Sequence, residues 1–199
     1  MQRRQRSPCG NYYNMTYEDY IPNNRETFIA RTKEIARKIG AKYADLMTVM
    51  FIESGMNPQA VNKYSGATGL IQFLPSTARS LGTTTDDLLQ MSNVEQLDYV
   101  EKYFAPYAGR VGDLEDLYFA VFFPAAMGKP DDYILQTKSQ SAELIGRQNP
   151  VLDTNKDGVI SVLDVKQYLD TKRIASGLSL LMVAGVVLIS GLAIYLTQR

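Results

Sequence analysis

The chain has no histidine, no tryptophan and only one cysteine among its 199 residues. Without histidine it lacks the most frequent general base and the most frequent zinc ligand of proteins. A single cysteine, Cys9, cannot form an internal disulfide, so it does not indicate a redox compartment. Any acid–base chemistry must therefore rest on carboxyl groups.

The chain also has no formal net charge. The chain has 21 lysines and arginines against 21 aspartates and glutamates, so its formal net charge is 0. A nucleic-acid-binding protein normally presents a basic face to the phosphates. We therefore expect no nucleic-acid partner.

The sequence has no alternating apolar–polar stretch long enough for a full sheet, and its apolar residues recur at helical spacing instead. Asn24, Ser92 and Asp113 stand at helix starts, and Gly40 and Gly55 stand where helices should stop. The pattern predicts a mainly α domain, with helices over residues 25–39, 42–54, 75–81, 93–104 and 114–123.

A glutamate at the end of an apolar helix begins the most informative stretch. Residues 51–78 read FIESGMNPQAVNKYSGATGLIQFLPSTA, in which Glu53 precedes a glycine-rich turn and a short apolar segment that ends in Gln72. Apolar neighbours, the negative end of the helix dipole and the lack of Lys or Arg from Asp45 through Asn62 all favour the neutral form of Glu53. A general acid that works near neutral pH needs such a raised pKa.

This motif resembles the lytic transglycosylases of the soluble-transglycosylase type, which are relatives of goose-type lysozyme. The likeness covers about residues 43–82 and includes the family's Glu-Ser, Gly-Ala-x-Gly-Leu-x-Gln and Pro-x-Thr-Ala elements. It implies a lysozyme-like helical fold, a peptidoglycan glycan strand as substrate and Glu53 as the catalytic residue. Residues 117–132 look like a phage-type variant, with Phe123 and Pro124 where bacterial members carry Tyr and Asn.

The resemblance also implies the mechanism. Glycoside hydrolysis normally uses two carboxyl groups, whereas the next acids after Glu53 are Asp86, Asp87, Glu95 and Asp98, which helix capping or exposed faces explain better. In the family a single glutamate protonates the glycosidic oxygen between MurNAc and GlcNAc and then deprotonates the C6 hydroxyl, which leaves a 1,6-anhydro-MurNAc product. A hydrolytic lysozyme remains an alternative.

Supporting roles in glycan binding follow from the same resemblance. Ser54 orients the turn or contacts the acetamido group, Gln72 hydrogen-bonds the glycan, and Gly66 and Gly69 let the backbone approach the sugar. Aromatic walls are assigned to Phe73, Tyr118 and Phe123, for which ordinary core packing is an equal alternative. The predicted substrate-binding set is Ser54, Ser65, Gln72, Phe73 and Tyr118.

A second motif has the spacing of a calcium ligand set. Residues 153–164 read DTNKDGVISVLD and fit the twelve-residue EF-hand loop, with glycine at position 6. Position 12 is Asp rather than Glu, as in dockerin-type loops, which predicts weaker Ca²⁺ binding; a polar turn without metal is the alternative. The predicted ligands are Asp153, Asn155, Asp157, Val159 through its carbonyl, Ser161 and Asp164.

The last uncharged run of the chain, residues 174–196, would form a helix of about 34 Å, which is enough to cross a hydrocarbon layer of about 30 Å. It predicts a single-pass C-terminal membrane anchor. The N-terminal residues are basic and Tyr-rich and lack the apolar region of a signal peptide. The predicted units are an extended or irregularly packed arm at 1–22, a lysozyme-like domain at 23–148, the calcium loop and its helix at 149–172, and the anchor at 173–199.

These parts predict an enzyme that is held in the membrane of a bacteriophage particle, with capsid proteins as further partners, and that opens the host cell wall. A bacterial envelope enzyme is the competing location. Two other classes of function also stay open: an inactive glycan-binding module and a structural, membrane-anchored virion protein, because fold similarity alone does not settle function.

Overall fold

The computed structural model describes residues 16–173. Helices dominate this range, and its extended segments form only isolated bridges, so the predicted mainly α fold is confirmed. Short 3-10 helices lie at Tyr17–Tyr20, Ala105–Tyr107 and Pro124–Ala126. The α-helices are α1 (Arg25–Ile39), α2 (Tyr43–Ser54), α3 (Pro75–Ser80), α4 (Thr85–Gln90), α5 (Asn93–Phe104), α6 (Leu114–Phe122), α7 (Ala142–Gln148) and α8 (Val162–Lys172).

Helix α2 lies between α1 and α6, while α1 also packs against α5. The interior faces of these helices are apolar, and Phe28, Leu46, Met50 and Leu117 are fully buried. Burial of such side chains is the main stabilising contribution to a domain of this size. It also fixes α2, which carries Glu53 in its last turn, against α1 and α6.

Most predicted helix ends are confirmed. Gly40 and Gly55 follow α1 and α2 in the left-handed conformation, with φ of 79° and 61°, and Ser92 and Asp113 accept hydrogen bonds from the first turns of α5 and α6. Asn24 differs. Its own backbone is left-handed, with φ of 53°, and its side chain makes no cap bond, because an N-cap normally needs an extended backbone.

Two helices were not predicted from the sequence. Helices α4 and α7 have 6 and 7 residues, which is too short for a recognisable apolar period. The hydroxyl oxygens of Thr84 and Ser141 cap their first turns. Capping chemistry was therefore the only local signal for these helices.

The described part of the N-terminal arm is folded, not extended. Tyr17 and Ile21 are buried in the core, and the Tyr17 ring packs on Phe51 of α2 at 4.5 Å between centroids. An aromatic residue gains more by covering the end of α2 than by remaining in water. Residues 1–15 lie outside the described range.

The predicted anchor also lies outside the described residues from position 174 onward. Among residues 16–173, the helices are too short or too polar to span a bilayer.

The segment after α6 returns to the same core. The amide N of Leu135 donates to the carbonyl of Ile160 at 2.8 Å, and the amide N of Val162 donates to the carbonyl of Tyr133 at 3.0 Å. Ile160, Val165 and Leu169 are fully buried in the cluster that contains the residues of α2 and α6. Helix α8 therefore packs on α6.

Candidate active site

Glu53 lies in the last turn of α2, one residue before the helix ends. Its side chain is partly exposed, so a substrate can reach the carboxyl group. The protein around it nevertheless removes most of the water that would stabilise the charge, and this burial raises the pKa of Glu53 to about 8. Among residues 16–173 no charged or hydrogen-bonding group contributes to that shift. Glu53 is therefore an unpaired acid that is largely protonated at neutral pH.

Three tyrosines from three helices surround this carboxyl group. Burial is the main cause that raises the pKa of Tyr103 on α5, Tyr118 on α6 and Tyr168 on α8 above its ordinary value. The negative charge of Glu53 raises all three pKa values further, and a neighbouring tyrosine also contributes at Tyr103 and Tyr118. Tyr103 donates its hydroxyl to the carbonyl of Ala120 at 2.7 Å, which fixes its ring. The carboxyl group thus faces aromatic rings rather than charges.

Only Tyr118 of these three was singled out from the sequence. Tyr103 and Tyr168 read there as ordinary positions of amphipathic helices, because nothing in their local spacing connects them with Glu53. The available signal was compositional: the chain contains 13 tyrosines and no tryptophan. Tyrosine is an aromatic residue that can pack one side against the core and expose a polar tip.

Ser54 connects the end of α2 to the glycine-rich turn. Its hydroxyl lies 2.9 Å from the carbonyl of Met50 and 3.0 Å from the carbonyl of Leu70, and its single proton serves these two acceptors. This geometry orients the turn relative to Glu53. A contact between Ser54 and an acetamido group stays a prediction.

Gln72 holds the turn from inside. Its amide nitrogen donates to the carbonyls of Ala60 at 3.2 Å and Gly69 at 3.1 Å, and its backbone has a positive φ of 52°. Its amide oxygen is buried and has no partner among the described residues. A side chain in this state braces the turn, and its predicted hydrogen bond to the glycan stays untested.

Ser65 lies in a tight turn beside Asn62. The side-chain oxygen of Asn62 accepts from the amides of Tyr64 at 2.8 Å and Ser65 at 3.2 Å, and the Ser65 hydroxyl accepts from Ala67 N at 3.2 Å. Ser65 remains partly exposed. It can therefore offer its hydroxyl proton to a ligand while its oxygen supports the turn.

Gly69 is required by packing behind the turn. Its φ is 84°, and a Cβ at this position would lie 2.4 Å from the side-chain oxygen of Gln96. That oxygen accepts from Leu70 N at 3.0 Å and cannot move away without losing the bond. The close approach at Gly69 is thus to Gln96. An approach of its backbone to a sugar stays a prediction.

Phe73 and Phe123 lie in the core, with 2% and 0% of their surfaces exposed. Phe73 places its edge against Tyr103, with ring centroids 6.1 Å apart. Tyr118 is 4% exposed and stacks on Phe122 at 5.4 Å. All three rings are thus packed in the core, and their predicted contacts with a glycan stay untested.

The other early acids have structural roles. Asp87 and Glu95 accept hydrogen bonds at the starts of α4 and α5, and Asp98 pairs with Arg31 at 2.8 Å. No carboxylate among residues 16–173 contributes to the pKa shift of Glu53. The pKa of Glu53 is therefore raised by burial and not by a second carboxylate of the described range.

The predicted calcium loop is ordered by its own side chains. The Asp153 carboxylate accepts from the amides of Asp157 at 3.1 Å and Gly158 at 3.0 Å. Asn155 accepts from Asp157 N, and Asp157 accepts from Val159 N, both at 3.0 Å. These bonds turn the side chains of positions 1, 3 and 5 toward the inside of one loop.

Asp164 is engaged differently from the other predicted ligands. One of its oxygens accepts from Thr154, and the other accepts from the amide and hydroxyl of Ser161, which caps α8. Across residues 16–173 no three His, Cys, Asp or Glu side chains are placed together as a metal site would require. The loop could hold a cation only through a mixed set that includes the Asn155 amide and the Val159 carbonyl.

Comparison with known proteins gives one family. Residues 31–118 match the family model described as Transglycosylase SLT domain. No curated protein and no solved structure matches the chain. The matched segment contains Glu53, Ser54, Ser65, Gln72 and Tyr118, so the predicted catalytic residue lies in the part of the chain that is similar to a transglycosylase SLT domain.

Proposed function

We propose that the chain cleaves the β-1,4 bond between MurNAc and GlcNAc and forms 1,6-anhydro-MurNAc. The match of residues 31–118, which include Glu53, to a transglycosylase SLT domain supports this proposal. The observation that carries this proposal is the raised pKa of the lone Glu53 carboxyl group. Burial raises this pKa to about 8. It is protonated when substrate binds at neutral pH, as a general acid must be.

Glu53 performs both proton transfers of this reaction. It first donates its proton to the glycosidic oxygen, so that the C1–O bond breaks and the leaving sugar departs with a free hydroxyl group. The C6 hydroxyl of the same MurNAc then attacks C1, and Glu53 takes the hydroxyl proton. The acid is thereby regenerated, no water is consumed, and the intramolecular hydroxyl acts at high effective molarity.

Aromatic side chains support this sequence of steps. Tyr103, Tyr118 and Tyr168 replace water around Glu53 without adding a charge. In such surroundings the neutral acid and the developing oxocarbenium charge both interact with fixed groups rather than with solvent. Exclusion of water also favours attack by the C6 hydroxyl over hydrolysis.

Three alternatives predict different products. A hydrolytic lysozyme would use a second carboxylate to activate water, whereas no carboxylate of residues 16–173 contributes to the raised pKa of Glu53. An inactive glycan-binding module and a structural protein would not need Glu53 in a state with a raised pKa. Whether a glycan strand is cleaved, is only bound or is not bound distinguishes these alternatives.

The test is mass spectrometry of purified peptidoglycan after incubation with the full-length chain and with Glu53→Gln. We expect anhydromuramyl products with the native chain and none with the variant. Reducing-end MurNAc products would instead show a lysozyme. Binding without cleavage would show a glycan-binding module, and neither binding nor cleavage would favour a structural role. Asp132→Asn, which changes an exposed carboxylate, is the matched control.

We propose in addition that the loop at residues 153–164 binds Ca²⁺ as a structural cation. Support comes from the hard oxygen ligands of Asp153, Asn155 and Asp157, from the left-handed backbone of Lys156 and Gly158 with φ of 62° and 90°, and from the carbonyl of Val159 at position 7. Because Asp164 is already used by Thr154 and Ser161, the affinity should be weaker than that of loops with a free bidentate ligand.

Thermal unfolding with calcium chloride or with a chelator tests this proposal. At a free concentration of one hundred times Kd, a bound ligand adds about 2.7 kcal/mol to the free energy of unfolding. We expect stabilisation in the native chain and in Asp132→Asn, and its loss in Asp153→Asn combined with Asp157→Asn. If the native chain unfolds at the same temperature in both solutions, the loop is a polar turn without metal.

The place of action is a further proposal. The uncharged run at residues 174–196 and the phage-type segment at 117–132 support an enzyme that is anchored in the membrane of a phage particle and is in contact with capsid proteins. It would open the host cell wall during infection. Immunodetection in purified particles would support this location, and detection in envelopes of uninfected cells would overturn it.

A further inference from the structure

Helix α8 reaches the Glu53 cleft although it lies outside the residues that match the transglycosylase domain. The match ends at residue 118, while α8 covers Val162–Lys172 and packs against α6. Its Tyr168 ring lies 6.4 Å from the Tyr118 ring between centroids, at an interplanar angle of 44°. Tyr118 belongs to the matched segment and lies close enough to Glu53 for the Glu53 charge to raise its pKa. Tyr168 places a second ring beside it from a later part of the chain.

Both ends of α8 are held in place. At its start, Val162 N donates to the carbonyl of Tyr133, and Lys166 pairs with Asp131 at 2.5 Å. At its end, the Tyr17 hydroxyl donates to the carbonyl of Lys172, and Arg173 pairs with Glu115 at 2.7 Å. Exposed ion pairs contribute little singly, but together with the buried face of α8 they fix the position of Tyr168. The ring is only 9% exposed.

We propose that Tyr168 is a positioning residue for the reaction of Glu53: its ring closes the α6–α8 side of the cleft and keeps water away from the carboxyl group. The proposal rests on the assigned role of Glu53 as proton donor. Tyr168 does not transfer a proton, because the neutral phenol acts through the volume it occupies.

The surroundings of Glu53 leave desolvation as the only available mechanism. The titratable groups that sense Glu53 are Tyr103 from α5, Tyr118 from α6 and Tyr168 from α8, all of them neutral at pH 7. Among the described residues no lysine, arginine or carboxylate contributes to the pKa of Glu53. Removing one of the rings must therefore change the acid through water access rather than through a lost charge.

The direction in which the Glu53 pKa should change in a Tyr168 variant follows from this dependence on water access. A deprotonated Glu53 cannot donate, so activity falls as the pH rises through its pKa of about 8. If water enters where Tyr168 was, the charged form gains solvation and the pKa falls. The alkaline limb of the kcat/KM profile then moves to lower pH, and the variant is least impaired in mildly acidic solution.

The test compares Tyr168→Ala with Tyr168→Phe in the full-length chain. We expect the alkaline limb to move down by about one pH unit or more in Tyr168→Ala and to stay in place in Tyr168→Phe, which keeps the ring. Lys172→Ala is the matched control, because it removes the ammonium group that lies 5.1 Å from the Tyr168 ring and leaves the ring itself. A limb that stays in place while activity falls equally at every pH would show a merely structural role and overturn the proposal.

A second readout does not depend on activity. The carboxyl carbon of Glu53 can be titrated by NMR in glutamate-labelled protein, with Glu53→Gln to assign the signal. A lower Glu53 pKa in Tyr168→Ala supports the proposal even if the native chain cuts no peptidoglycan, in which case only the proposed function fails. An unchanged pKa overturns it. If Tyr168→Ala does not fold, Tyr168→Leu removes the phenol and most of the ring while filling part of the space.

Discussion

At the scale of single residues, the surroundings of Glu53 come from helices that are distant from it in sequence. Glu53 could be predicted because its motif carries Ser54, the glycines and Gln72 at fixed spacing. Tyr103 and Tyr168 could not, because their contribution comes from helices that meet Glu53 only in the folded chain. The role of Gly69 was also beyond the sequence, since its partner, Gln96, lies 27 positions further along the chain.

The raised pKa of Glu53 makes a prediction about stability. In the unfolded chain its pKa returns to the ordinary value near 4.5, whereas in the folded chain it is about 8. The folded state therefore binds the proton more tightly, and stability is lost as the pH rises from about 4.5 through 8. Glu53→Gln should remove this loss and be more stable than the native chain above pH 8, on the order of a few kcal/mol.

Urea unfolding at a series of pH values checks this prediction. The difference in unfolding free energy between Glu53→Gln and the native chain should grow across that window and level off on either side. Glu26→Gln, at an exposed position of α1, controls for the general effect of removing a negative charge. A constant difference at all pH values would contradict a shifted pKa.

Gly69 gives a second residue-scale prediction with an internal control. Gly69 and Gly82 have nearly the same φ, 84° and 80°, but a Cβ would clash only at Gly69, with Gln96. Alanine should cost about 1–2 kcal/mol at both positions from backbone strain. Gly69→Ala should cost about 1–3 kcal/mol more, from overpacking. Equal losses in chemical denaturation would show that Gln96 moves aside freely.

At the scale of secondary-structure elements, helix ends were easier to predict than short helices. Apolar periodicity and glycine stops gave α1, α2 and α5 nearly to the residue. Helices α4 and α7 were not predicted, because a helix of one or two turns is too short to show an apolar period. The packing of the segment around Tyr17 against α2 was not predicted either, because it depends on the ring of Phe51, which is distant in sequence.

The contact between α7 and the loop at 153–164 makes the element-scale prediction. A Cβ at Gly146 would lie 2.1 Å from the carbonyl oxygen of Gly158, a backbone atom that cannot rotate away. Alanine at a helical glycine normally stabilises by about 1 kcal/mol, but here overpacking should reverse the sign, for a net loss of about 1–3 kcal/mol.

The measurement is the urea midpoint of Gly146→Ala beside that of Gly112→Ala. The Gly112 position has nothing within 4 Å of an added Cβ, so its substitution should be nearly neutral. Equal midpoints for the two variants would mean that α7 and the loop can separate without cost.

At the scale of the whole molecule, the chain before the matched segment contacts the chain after it. Tyr17, before the segment, and α8, after it, meet where the Tyr17 hydroxyl donates to the carbonyl of Lys172. The order of predicted units along the chain gave no reason to expect this meeting. It requires the three-dimensional path, in which residues 131–135 bring the later chain back to the helical core.

Tyr17→Phe tests the contribution of that meeting. Loss of the hydrogen bond should lower the free energy of unfolding by about 1 kcal/mol and should accelerate amide hydrogen exchange at the C-terminal end of α8. Tyr20→Phe is the control, because its ring also packs on Phe51, at 4.8 Å between centroids. If exchange in α8 rises equally in both variants, the Tyr17 hydroxyl does not hold the helix.

The bond between Tyr17 and Lys172 has a topological consequence. It joins positions that lie 155 residues apart, so the covalent chain and this hydrogen bond together enclose the whole segment that matches the transglycosylase SLT domain. A contact between residues so distant in sequence can form only after a long loop has closed. We therefore expect this bond to form late in folding, after the helices between its two residues have packed.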